Sequence, residues 1–227
     1  MFGPIAPGES SYRAQRIRVR ELVLGIVWVA AIASGLYALE AYKATPGDVG
    51  QTPPHFSDFE SQSVARGRPR LLMFVHPLCP CSRASLAELA EIMARNPGKV
   101  DTEVIFVKPA NAGASWDHSS LWKLASNIPD VRLVCDGGGS LARRLGALTS
   151  GYVLLYDAGG RLLFSGGITR SRGHEGDNPG RRALCALLAG GAASDVKTPV
   201  FGCSLFSAGE CVQTSHAAPV NSNGHRP

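Results

Sequence analysis

The residues that invite chemistry are His76-Pro77-Leu78-Cys79-Pro80-Cys81-Ser82-Arg83. Two thiols, one proline apart, stand between an apolar run, Leu71 to Val75, and an amphipathic run that opens at Ser82. Thiols at the start of a helix meet unpaired N–H groups and the positive end of the helix dipole, and both favour thiolate. A cysteine of low pKa is a usable nucleophile at neutral pH and a good leaving group in exchange. A disulfide across Cys-x-Cys closes a small, strained ring, and strain raises the reduction potential, favouring an oxidant or isomerase over a strong reductant. Cys79 is therefore the expected nucleophile and Cys81 its resolving partner, with His76 as proton shuttle or ligand. The plain alternatives are an inert thiol pair and a polar residue that closes a strand.

Such thiols need a scaffold, and the hydrophobic pattern predicts one. Leu71–Val75, Val104–Val107 and Val131–Val134 are short apolar runs of the kind a sheet buries on both faces. Between the first two, Ser82 to Arg95 places Leu86, Leu89, Ile92 and Met93 on one helical stripe, and Asn96-Pro97-Gly98 stops it. Ser119–Asn127 and Ser140–Leu145 read as short helices. Tyr152–Tyr156 and Arg161–Ser165, joined by Asp157-Ala158-Gly159-Gly160, read as a hairpin, and Asn178–Ala189 as the last helix. The order β-α-β-α-β-α-β-β-α implies an α/β domain with a mixed sheet and helices on both faces. Gly137-Gly138-Gly139 has no following Lys-Ser/Thr and no G-x-G-x-x-G pattern, so it reads as a turn and helix start rather than a phosphate cradle.

Ahead of this domain, Leu22 to Leu39 is a run of 18 residues without a charge, about 27 Å as a helix and enough for one membrane span. Arg13, Arg16, Arg18 and Arg20 precede it and Lys43 follows, so the positive-inside rule puts the N-terminus in the cytoplasm. The expected organisation is a cytoplasmic tail over 1–21, a signal anchor over 22–42 and a linker over 43–67. The globular domain follows over 68–202, with a flexible extension over 203–227. The expected location is the inner membrane, single-pass, with the domain periplasmic. A cleaved signal peptide, with Ala31-Ile32-Ala33 at the cleavage site, and a buried core helix are the alternatives. Of the 227 residues, 44% are apolar, enough for a core and too many for a disordered chain. The net charge of +5 does not form one patch: +2 falls in residues 1–45 and +3 in 160–182. No nucleic-acid partner is expected.

At the thiols the chain resembles the thioredoxin-like superfamily, in particular membrane-anchored extracytoplasmic TlpA-like proteins. The RedB type is the nearest match, through His76–Ser85 and through Thr198-Pro199-Val200-Phe201-Gly202-Cys203. The resemblance spans about residues 65–205. It implies a thioredoxin-like three-layer α/β/α fold with a mixed central sheet, thiols at the end of the first core strand, and thiol–disulfide exchange with protein substrates. Two departures stand out. The family pattern is C-x-x-C, so Ser82 takes the resolving position and Cys81 becomes an extra thiol. In Leu148-Thr149-Ser150-Gly151-Tyr152, Gly151 stands where the family carries a cis-proline. The implied fold also brings the loop after the hairpin near the thiols, where Arg170 and Arg172 would stabilise thiolate and His174 would shuttle a proton or bind metal. A solvated loop is the alternative.

Cys135 and Cys185 read as buried, inert thiols. Cys203 and Cys211 are expected to close a local disulfide, or else Cys203 folds back as a resolving partner for Cys79 and Cys81. Trp116 and Trp122 read as packing residues. Three activities compete. One is protein thiol–disulfide exchange without a cofactor. Another is copper binding and delivery through Cys79, Cys81 and His76, because two soft thiolates and an imidazole suit Cu(I). The third is a thiol peroxidase with Cys79 attacking peroxide.

Overall fold

In the computed structural model, residues 8–56, 67–108 and 119–206 are described, with side chains from residue 19 onward. The chain divides into two units, residues 1–45 and 46–227. The first contains a single helix, α1 (Gly8–Ala44). Its segment Val19–Ala44 has 26 residues and a mean hydropathy reaching 2.2, with its apolar side chains exposed. At 1.5 Å per residue that is about 39 Å, long and apolar enough to cross a membrane.

The second unit is built on a five-stranded sheet. Its elements are β1 (Arg70–Val75), α2 (Ser82–Arg95), β2 (Asp101–Lys108), α3 (Ser120–Ser126), β3 (Val131–Gly137), α4 (Ser140–Arg144), β4 (Tyr152–Tyr156), β5 (Leu162–Gly166) and α5 (Pro179–Leu188). The order across the sheet is β3-β2-β1-β4-β5. β2 lies parallel to β1 and to β3, while β4 is antiparallel to both β1 and β5. The expected mixed sheet is present, and α2 has the bounds that its leucine stripe predicts.

β1 is central and fully buried, and its side chains divide by alternation. Leu71, Met73 and Val75 join Leu86, Leu89, Leu121 and Leu184 on the face covered by α2, α3 and α5. Leu72 and Phe74 join Ile105, Leu154 and Tyr156 on the other. Each of these buried apolar side chains is worth about 1.5–3 kcal/mol, so the strand anchors both halves of the core.

The second face has one short helix, α4, and the two ends of the domain complete it. Residues 46–56, expected as part of a free linker, pack here instead. Thr52 hydrogen-bonds the Tyr152 hydroxyl at 2.7 Å, the Tyr156 hydroxyl donates to Pro53 O, and the Phe56 and Tyr156 rings lie 5.0 Å apart. Likewise the expected flexible extension does not begin at residue 203, because Leu205 and Phe206 are buried beside Leu145 and Val107. The physical reason is shared: a five-residue helix cannot shield that side of a five-stranded sheet.

The single cysteines divide. Cys185 is half-buried against the core, but Cys135 is exposed, which corrects the expectation that it is buried. It sits near the end of edge strand β3, which has a neighbouring strand on one side only. Trp122 packs on Phe106, with ring centroids 4.8 Å apart. Trp116 and Cys211 lie outside the described residues.

Candidate active site

The chain leaves β1 towards β2 on one side of the sheet, and β4 flanks β1 on the other. The carboxyl end of such a strand opens a crevice in α/β sheets. Here it carries the Cys79-Pro80-Cys81 turn. Cys79 N–H donates to His76 O at 3.1 Å, Ser82 N–H to Cys79 O at 3.1 Å and Arg83 N–H to Pro80 O at 3.3 Å, winding the turn into α2 with Cys81 as its N-cap.

Three sulfurs meet at this point. The Sγ atoms of Cys79, Cys81 and Cys203 all lie within 4.8 Å of one another. Cys203 reaches the site on the segment after Pro199, and its backbone N–H donates to Cys79 Sγ at 3.4 Å. It takes part in no disulfide. Of the two roles expected for Cys203, the geometry matches the fold-back.

The segment is seated on the loop before β4. Ser150 N–H donates to Cys203 O and Leu205 N–H to Leu148 O, both at 2.8 Å, and Thr149 and Ser204 form an antiparallel bridge. Gly202 is obligatory for this contact, since a Cβ there would stand 1.9 Å from Ser150 O.

Electrostatics distinguish the thiols. Burial raises the Cys79 pKa, but hydrogen bonds from the Cys203 thiol, the Ser82 hydroxyl and the backbone of both residues outweigh it, leaving Cys79 below the ordinary thiol value. Cys81 is held above it by burial and by the neighbouring Cys79 charge, against the opposing pull of Arg172. Cys203 is pushed up to about 12 by burial, by its hydrogen bond to Cys79 and by both neighbouring sulfurs, with Arg172 again opposing. Of the three, Cys79 is thus the thiol that ionises first.

The other expected site residues take varied positions. Ser82 is buried, 2.6 Å from the Ser150 hydroxyl. Arg172 donates to Gly202 O, so the loop after β5 does reach the thiol-bearing segment. Arg83, Arg170 and His174 are exposed, and His174 stands outside the cluster of metal-ligating groups. His76 stands outside the cluster of metal-ligating groups, which is Cys79, Cys81 and Cys203, and its Nδ1 accepts from Leu78 N–H at 3.2 Å. Burial also lowers the His76 pKa, so the ring is neutral at pH 7. Thr149 is buried and donates to Asp48 O, fixing the lead-in rather than facing the sulfurs. Gly151 has φ +91° and donates its N–H to Phe74 O at 2.7 Å, a bond that proline cannot make.

Two residues escaped the sequence reading. Ser150, fully buried, accepts from His76 N–H at 2.7 Å and joins Ser82, tying the end of β1 to the start of α2. Glu88, buried on α2, accepts from Arg181 at 2.8 Å and from Asn178 at 3.2 Å and also bonds Gly176 N–H, which holds the Arg172 loop against the helix. An acidic residue on the apolar side of the α2 stripe was the signal for Glu88; nothing marked Ser150.

Among solved structures, an uncharacterized conserved protein from Geobacillus kaustophilus superimposes with a TM-score of 0.54 at 20% identity, covering 73% of this chain and 90% of its own. A hypothetical protein from Sinorhizobium meliloti gives 0.52 at 19% identity, covering 72% and 97%. A secreted Mycobacterium tuberculosis disulfide oxidoreductase homologous to E. coli DsbE gives 0.40 at 19% identity, covering 55% and 83%. What the chain shares with the Geobacillus and Sinorhizobium proteins is the fold, a mixed five-stranded sheet with helices. No protein-family model and no curated protein matches the sequence. In this domain Cys79 and Cys81 stand at the start of α2, and Cys203 comes to them from the segment that follows α5.

Proposed function

We propose that the protein is a membrane-tethered thiol–disulfide oxidoreductase that acts on proteins from an extracytoplasmic domain, with Cys79 as nucleophile. The observation that carries this reading is the environment of Cys79: a cysteine at the carboxyl end of the central strand, its pKa lowered by hydrogen bonds that favour the anion, with two further thiols within 4.8 Å. The steps are attack by the Cys79 thiolate on a substrate disulfide, a mixed disulfide, and attack on that bond by a neighbouring sulfur. Ser82 and Ser150 position the turn, Arg172 lowers the cost of negative charge among the sulfurs, and α1 tethers the domain to the bilayer with its arginine-rich end in the cytoplasm. The test is catalysis of insulin reduction by the full chain in detergent. Catalysis lost in Cys79→Ser supports the reading, and an unchanged rate in that variant sinks it.

A second reading, delivery of Cu(I), is favoured by the grouping of three sulfurs, because soft thiolates select that ion. Cys79, Cys81 and Cys203 would hold it, and Cu(I) would be cargo. Titration of the reduced chain with Cu(I) tests it: affinity must fall in Cys203→Ser and stay unchanged in His76→Ala.

A further inference from the structure

We propose that Cys203, and not Cys81, is the thiol that resolves disulfides formed at Cys79, and that the segment Gly202–Leu205 is a movable strap that partner proteins displace. This rests on the exchange reading above and assigns its second step.

Access is the first argument. Cys79 is 1% exposed, and the Cys203 N–H lies against its sulfur. An attacking thiolate must line up with a partner's disulfide, which a covered sulfur cannot do. The strap therefore lifts before the first exchange. Its hold is two backbone bonds to Leu148 and Ser150, the Arg172 contact to Gly202 O and the buried Leu205 side chain at its far end, rather than a place in the main sheet.

Geometry supplies the second. Cys79 and Cys81 are separated by one residue, so a disulfide between them closes a small, strained ring. Cys81 already has helical backbone angles, φ −65° and ψ −27°, and is joined to Cys79 through the fixed φ of Pro80. Closing that pair demands distortion of the turn. Cys203 arrives from an independent segment, with its N–H 3.4 Å from Cys79 Sγ, so a bond between these two closes no small ring.

The chemistry balances. With the strap lifted, the Cys79 thiolate attacks one sulfur of a partner disulfide, forming Cys79–S–S–partner and releasing the other partner sulfur as a thiolate, which takes a proton from water. The strap returns. Burial still opposes the Cys203 anion, but Cys79 now carries no charge, so the hydrogen bond and repulsion from it disappear, while Arg172 still favours the anion. Cys203 releases its proton, its sulfur attacks Cys79 Sγ, and the second partner sulfur leaves and is protonated. One partner disulfide becomes two thiols, and two thiols of this chain become the Cys79–Cys203 disulfide.

Glutathione disulfide serves as the probe, with the reduced full chain in detergent, acid quenching, and peptide mapping without reductant. In the unsubstituted chain and in Cys81→Ser the map should join Cys79 to Cys203, with no lasting glutathione on Cys79. In Cys203→Ser the glutathione adduct at Cys79 should persist at least tenfold longer. A Cys79–Cys81 bond in the unsubstituted chain, or an adduct that persists in Cys81→Ser and not in Cys203→Ser, overturns the proposal. The unsubstituted map stands even where a variant folds poorly. The Cys81→Ser/Cys203→Ser double variant separates the two readings: an adduct at Cys79 upholds exchange whichever thiol resolves it, and none there overturns exchange and resolver together.

Discussion

The backbone N–H of Cys203 donates to the sulfur of Cys79 at 3.4 Å, across 124 residues of sequence. A donor aimed at a sulfur favours its anion, so this bond links the reactivity of Cys79 to the seating of a remote segment.

Alkylation should report that link directly. Iodoacetamide labelling of the reduced full chain against pH, read at Cys79 by mass spectrometry, should show a midpoint below the ordinary thiol value. Ser82→Ala removes a donor to the thiolate, which destabilises the charged form, so the midpoint must rise and the rate at pH 7 fall severalfold. Cys203, raised to about 12 while Cys79 is charged, should label only in strong alkali. A midpoint for Cys79 that Ser82→Ala leaves in place would contradict the assigned cause.

Gly202→Ala tests the strap by sterics alone, because its Cβ would collide with Ser150 O. Cys203 keeps its thiol but loses its seat. Compared at a pH above the ordinary thiol value, where the anion no longer depends on the Cys203 donors, a bulky iodoacetamide should then modify Cys79 at least tenfold faster than in the unsubstituted chain. Equal rates would mean that the strap does not govern access.

Ser150→Ala leaves the His76 N–H and the Ser82 hydroxyl without their shared partner in a buried place. An unsatisfied buried polar group costs about 1–3 kcal/mol. At roughly 2–4 °C per kcal/mol for a domain of this size, thermal unfolding should come about 2–12 °C earlier. No change in Tm would show that water replaces the hydroxyl.

Glu88→Ala leaves Arg181, whose side chain is 14% exposed, with the Asp177 carboxylate at 3.9 Å in place of its close partner. Breaking such a buried pair costs about 3–5 kcal/mol. The loop carrying Arg172 also loses its bond at Gly176, so limited proteolysis should cut within 170–177 well before it does in the unsubstituted chain. Proteolysis at the original rate would place the loop's anchorage elsewhere.

Local patterns carried most of the fold. β1 is legible because a strand buried on both faces needs an unbroken apolar run, and α2 because its leucines repeat at helical spacing. Residues 46–56 are not, since they pack through backbone carbonyls, one threonine and one phenylalanine, which leave no period. Cys79 and Cys81 announce themselves by adjacency. Cys203 was visible only as one of two options, because no local spacing encodes a contact between chain segments so far apart. His76 looked like a ligand by composition, whereas its ring nitrogen is used two residues away on Leu78.

The same distance sets an order of events during synthesis. Chains elongate at about 5–20 residues per second, so the 124 residues between Cys79 and Cys203 take about 6–25 s to make. For that interval the reactive sulfur of a nascent chain has no cover of its own. Every newborn molecule thus passes through an open phase, and the last described stretch of the domain closes it.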